Sequence, residues 1–172
     1  MPTLSNTLVV TALVAIGAAS TVIDLRTRRV PNRLTLTIAL GGLALAAGGF
    51  SGVTLTGALL GMLAGLALML PGHVIGATGA GDVKLFAATG TLLGPSAVAT
   101  AFFFTLLAGG VLAIAAAVYR RRLAATVGRA VMLVRSGGAN AADIEGPSIN
   151  NRFAYAPAIA FGTIVAALGF SL

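Results

Sequence analysis

The sequence predicts an all-α, polytopic membrane protein of six transmembrane helices, with the N-terminus and the C-terminus both outside. Three observations predict it. Hydrophobic residues make up 58% of the chain and charged residues 9%, where a soluble domain carries about a quarter charged residues. The apolar residues fall into runs of about 17 to 24, the length that crosses a hydrocarbon core roughly 30 Å thick. All the basic residues lie in the connections between those runs, on one side.

The first run, Ser5 to Ile23, ends at Asp24. No Lys or Arg precedes it and a basic cluster follows, the opposite polarity to a secretory signal, so it reads as a retained first helix. The connection Arg26-Thr27-Arg28-Arg29-Val30-Pro31-Asn32-Arg33 contains a proline, which disfavours helix at the residue before it. Helix two is expected from Leu34 to Ala47, with an uncharged turn at Gly48 to Gly52. Helix three is expected from Thr54 to Leu70, where Gly57, Gly61 and Gly65 make a smooth stripe for close helix packing. Pro71-Gly72 then opens a connection through His73 to Gly79-Ala80-Gly81-Asp82, expected to pack inside the protein. Helix four runs from Val83 to Gly94-Pro95, and helix five from Ser96 to Tyr119, long enough to cross with tilt.

Arg120-Arg121-Arg122 stops helix five. Residues 123–135 alternate apolar positions with Arg129 and Arg135, the pattern of an amphipathic helix on the inner surface. A polar loop, Ser136 to Asn151, and helix six, Phe153 to Phe170, complete one domain over residues 1–172. With the N-terminus outside, six crossings leave residues 24–33, 72–84 and 120–152 in the cytoplasm. Those regions hold all eleven Lys and Arg residues, as the positive-inside rule requires.

The same distribution accounts for the net charge of +7. The basic residues sit beside anionic lipid, so the partner is a bilayer and not nucleic acid. Cysteine is absent, which removes disulfides, thiolate nucleophiles and Cys-based metal sites. The single histidine, His73, leaves little for a histidine site, so no metal and no cofactor is expected.

Of the four acidic residues, Asp143 and Glu145 fall in the polar loop. Asp24 and Asp82 lie at the inner ends of helices one and four, and ionisable residues at membrane level are functional candidates. Two carboxylates in one low-dielectric site tend to share a proton. One can then take a proton from water while the other protonates a substrate carbonyl. Ion pairs of Asp24 with Arg26 or Arg28, and of Asp82 with Lys84, account for position and charge equally well.

The surrounding motifs weigh against that alternative. Gly79-Ala80-Gly81-Asp82-Val83-Lys84-Leu85 resembles the GxGDxKL run of type IV prepilin peptidases, which are GxGD membrane aspartyl proteases. Asp24, followed seven and eight residues on by Pro31-Asn32, resembles the family's first aspartate. Tyr155-Ala156-Pro157-Ala158-Ile159-Ala160-Phe161-Gly162 resembles the start of its last helix, although Ala154 and Ala156 stand where Pro and Gly are usual. The resemblance implies a membrane-embedded peptidase with Asp24 and Asp82 catalytic, cutting the basic leader from a prepilin-like membrane substrate at the cytoplasmic face of the inner membrane. The larger members' Cys-rich insertion is missing, which implies no methyl transfer. The small size is similar to the members serving Tad (Flp) pili and to preflagellin peptidases.

Gly79 and Gly81 are expected to let backbone approach closely beside the carboxylate. Lys84 either tunes the pair or binds a substrate carbonyl, and as an interfacial anchor it is equally well explained. Asn32 either supports the site by a hydrogen bond or caps helix two. His73 reads as a bystander. Two rivals stay open: a small proton- or cation-coupled transporter, and an inert subunit of a pilus or secretion machine.

Overall fold

The computed structural model describes residues 4–119, 128, 131 and 155–169. Most of the expected amphipathic segment, the whole polar loop and the ends of helix six lie outside the described residues. The regular structure within them is helical: α1 (Leu4–Thr27), α2 (Asn32–Ala47), α3 (Leu55–Val74), α4 (Ala80–Tyr119) and α5 (Ala156–Ala167). Three stretches, Ser5–Thr27, Leu55–Val74 and Ala80–Ala116, are long and apolar enough to cross a membrane. α2 and α5 are apolar but shorter, at 16 and 12 residues. The class is therefore all-α and membrane-embedded.

α4 is not one rod. Gly94 sits at φ 72°, ψ 173° with Pro95 behind it, a left-handed backbone that glycine alone adopts at little cost. The rings of Phe86 and Phe102 meet edge-on with centroids 6.0 Å apart. Residues that far apart on a straight helix would stand about 24 Å from each other. The two arms, 80–93 and 95–119, therefore fold back on one another about Gly94, and they are the helices four and five of the sequence reading.

Lipid tails are as apolar as leucine, so helix association in a bilayer depends on close packing at small residues. α3 meets the first arm of α4 where a Cβ on Gly61 would strike the Gly90 carbonyl and one on Gly65 would lie 3.1 Å from Ala87 Cα. Gly57, read as part of the same stripe, faces Val53 and Thr54 instead. Its N–H is held at 3.1 Å by Thr54 Oγ1, the N-cap of α3. It serves the helix start and not the helix contact. α2 reaches the first arm through Gly42 against Thr91, α5 reaches the second arm through Gly162 against Ala101 and Thr105, and α1 reaches α5 through Gly17 against Ala160. α1 barely touches α4, so the last helix of the chain lies between them.

Several boundaries differ from expectation. α1 continues past Asp24 to Thr27 and stops at Arg28, a left-handed residue at φ 51° whose N–H donates to the Asp24 carbonyl at 2.7 Å. α2 starts at Asn32, because Pro31 serves as its N-cap. α3 runs through Pro71 to Val74. A proline near the end of a helix forfeits one backbone bond, and the next turn is still closed by Ile75 N–H to Pro71 O at 3.2 Å. α4 starts at Ala80, three residues early, for a reason that lies in the site.

Candidate active site

Asp24 lies in the last turn of α1 and is only 5% exposed. Its Oδ2 accepts the N–H of Ala156 at 3.1 Å. Ala156 is the first residue of α5, and Pro157 behind it has no N–H to offer. The N–H groups of Ala158 and Ile159 turn back to the Tyr155 carbonyl at 3.0 and 3.2 Å. The Ala156 N–H is thus the donor that this helix end cannot satisfy by itself. Asp24 satisfies it from a different helix.

Asp82 occupies the third position of α4, with Gly79 as the capping residue. The Gly79 N–H donates to Asp82 Oδ2 at 3.2 Å, while the N–H groups of Asp82 and Val83 donate to the Gly79 carbonyl at 3.1 and 3.2 Å. This is the reciprocal half of a capping box, and it explains why the helix begins at Ala80. A Cβ on Gly79 would lie 3.0 Å from the same carboxylate oxygen. Gly79 is exposed and Asp82 half-buried, so the loop lies at the rim and not wholly inside.

Both carboxylates therefore face the positive end of a helix dipole, Asp82 that of its own helix and Asp24 that of α5. Ala156 holds Asp24, and the hydroxyl of the preceding residue, Tyr155, lies within electrostatic reach of Asp82. Each helix end favours the ionised form of the carboxylate it faces.

A second contact ties the connection after α1 to the first turn of α4. A Cβ on Gly81 would sit 3.2 Å from Val30 Cβ and 3.4 Å from Val30 N. One turn along, Lys84 Nζ donates to Asn32 Oδ1 at 3.0 Å. Successive helical residues are about 100° apart, so Lys84 points away from the side of α4 that carries Asp82. On that far side Lys84 and Asn32 close one end of an apolar groove of about 400 Å³ between α2, α3 and α4.

Asp24 and Lys84 each have a hydrogen-bond partner other than those of the ion pairs weighed above. Asp24 is bound by the Ala156 N–H and Lys84 by Asn32. Asn32 does not cap α2, whose N-cap Pro31 brings no side-chain bond. His73 closes the loop before α4 through Nδ1 and the Thr78 carbonyl at 3.0 Å. Sequence reasoning passed over Tyr155 and Ala156 as site residues. The available signal was Pro157, which leaves Ala156 with an N–H in need of an acceptor from elsewhere. Since that contact is made by backbone, alanine serves at 156 as glycine would.

Asp24 and Asp82 are the two acidic residues among those described, and both are held on a bundle of apolar helices. The chain belongs to the type IV leader peptidase family, whose model matches residues 10–114. The match spans Asp24, Asn32, Gly79, Gly81, Asp82 and Lys84, and ends before Tyr155. Nothing matches among the curated proteins or among the solved structures.

Proposed function

We propose that this chain is a membrane aspartic endopeptidase that removes the short basic leader of prepilin-like precursors, with Asp24 and Asp82 as the catalytic pair. The observation that supports the reading is the buried Asp24 carboxylate, held at the start of the last described helix by the Ala156 N–H at 3.1 Å, in a chain whose family is that of the type IV leader peptidases. One carboxylate takes a proton from water as the oxygen attacks the scissile carbonyl carbon. The other gives a proton to the carbonyl oxygen, and the tetrahedral intermediate collapses with the proton passing to the leaving amine.

The proposed orientation follows the basic residues. With six crossings and both termini outside, the aspartates lie at the cytoplasmic rim of the inner membrane, where water reaches them without a deep channel. The substrate's apolar helix lies in the bilayer, and its junction with the leader arrives extended beside Gly79 to Asp82. The Asn32–Lys84 bond and the Gly81–Val30 contact support the site by holding the connection after Asp24 against α4. The small size and the missing Cys-rich insertion support a peptidase without methyl transfer, of the kind serving Tad (Flp) pili or preflagellins.

Asp24→Asn and Asp82→Asn test the reading, because an amide oxygen accepts the same backbone N–H but supplies no acid chemistry. Each variant is expected in the membrane at normal abundance with no cleavage of a co-expressed prepilin. Cleavage by either variant removes that residue from the pair. A transporter or an inert subunit predicts no cleavage by the parent protein.

A further inference from the structure

The bond to Asp24 depends on where α5 begins along its neighbours. Against the second arm of α4 the last helix runs antiparallel, with Gly162 beside Ala101 and Thr105 and Tyr155 beside Gly109. Ala101, Thr105 and Gly109 recur every fourth residue, so they share one face of that arm. A face of residues this small offers little resistance to a helix sliding along it. A slip of one residue is about 1.5 Å. That is enough to take the Ala156 N–H out of good bonding range of Asp24 Oδ2, which it meets at 3.1 Å.

At Gly109 the slide is stopped. Tyr155 is half-buried with its ring over this glycine, and a Cβ there would lie 2.5 Å from Tyr155 Cε2 and 2.9 Å from Cζ. Only glycine leaves room for the ring. A Cβ on the next residue, Gly110, meets nothing within 4 Å, so the demand is confined to one position. We propose that Gly109 and Tyr155 are positioning residues for Asp24. The ring seats in the notch that Gly109 leaves, sets the start of α5 along the second arm, and so holds the adjoining Ala156 N–H on the Asp24 carboxylate. The inference rests on the peptidase reading for its effect on catalysis, and on these contacts alone for the placement.

The test uses the full-length protein, in membranes with a prepilin-like substrate for kinetics and in detergent for thermal unfolding. Gly109→Ala pushes the ring from its seat. It is expected to lower kcat about 10- to 100-fold, the size of a misplacement near 1 Å, with KM unchanged. Gly110→Ala is expected to keep the parent kcat. Tyr155→Ala removes the ring but keeps the carbonyl that closes the first turn of α5, and is expected to lower kcat like Gly109→Ala. The double variant is expected to lose no more than the worse single one, as two parts of one contact do.

Unfolding supplies a readout that needs no cleavage. If the seat serves the Asp24 bond, Gly109→Ala lowers Tm less in an Asp24→Ala background, where that bond is already gone, than in the parent protein. A glycine that only packs two helices gives equal falls in both backgrounds. Should Gly109→Ala not accumulate, Tyr155→Ala, which adds no atoms, carries the same comparison. A Gly109→Ala enzyme with the parent kcat, or equal falls in Tm in the two backgrounds, overturns the proposal. Should the parent protein cleave nothing, the peptidase reading falls, and the unfolding comparison still decides whether the seat holds the Asp24 bond.

Discussion

Replacing Asp24 in two ways separates its structural work from its chemistry. Its Oδ2 receives the N–H of Ala156 at 3.1 Å, and Ala156 is fully buried. Asp24→Ala removes the acceptor and strands that N–H, a loss of about 1–3 kcal/mol, of which an ordinary cap accounts for about 1 kcal/mol. Asp24→Asn keeps an oxygen in the same place and is expected to unfold at nearly the parent temperature. Its cleavage rate, by contrast, is expected to fall by at least the roughly 10²–10⁴-fold that a general acid or base contributes. Thermal unfolding in detergent beside a leader-cleavage gel measures both. A substitution to Asn that destabilises as much as one to Ala, or that leaves cleavage intact, refutes the reasoning.

Three further outcomes follow from the packing. The Cβ positions of Val30 and Gly81 lie 3.2 Å apart, close to disulfide range, in a chain without cysteine; Val30→Cys with Gly81→Cys is expected to crosslink within one chain on mild oxidation, seen as a gel shift. Gly94→Ala places a side chain at φ 72°, ψ 173° with Val53 Cγ1 at 3.2 Å, and is expected to cost about 1–3 kcal/mol of stability, the penalty of a backbone region that essentially only glycine occupies. Asn32→Ala and Lys84→Met each break the bond at 3.0 Å; the double variant is expected to lose no more activity than either single one, as members of one pair do.

The sequence alone was enough for the class of the fold, because apolar runs of membrane-crossing length reflect solvent and not partners. It was enough for the reversal at Gly94-Pro95, where a residue free to take positive φ precedes one without an N–H. It also picked out Asp24 and Asp82, since acids are rare in such a chain and these two sit at run ends. Local rules did less well at boundaries. Pro31 and Pro71 read as breaks, yet one caps α2 and the other lies within α3, since a helix end depends on which backbone groups find acceptors. Gly57 read as packing surface because its spacing matched, but spacing does not say what faces it.

What only the tertiary structure decided is who partners whom. Nothing in the order of residues places the last helix between α1 and α4, joins Lys84 to Asn32, or brings an N–H of α5 to Asp24. Those contacts depend on how closely small residues let helices approach, and that is a property of two surfaces together. The two acids were visible from the start as candidates, and the backbone group that binds Asp24 came from the packing of a helix more than a hundred residues beyond it.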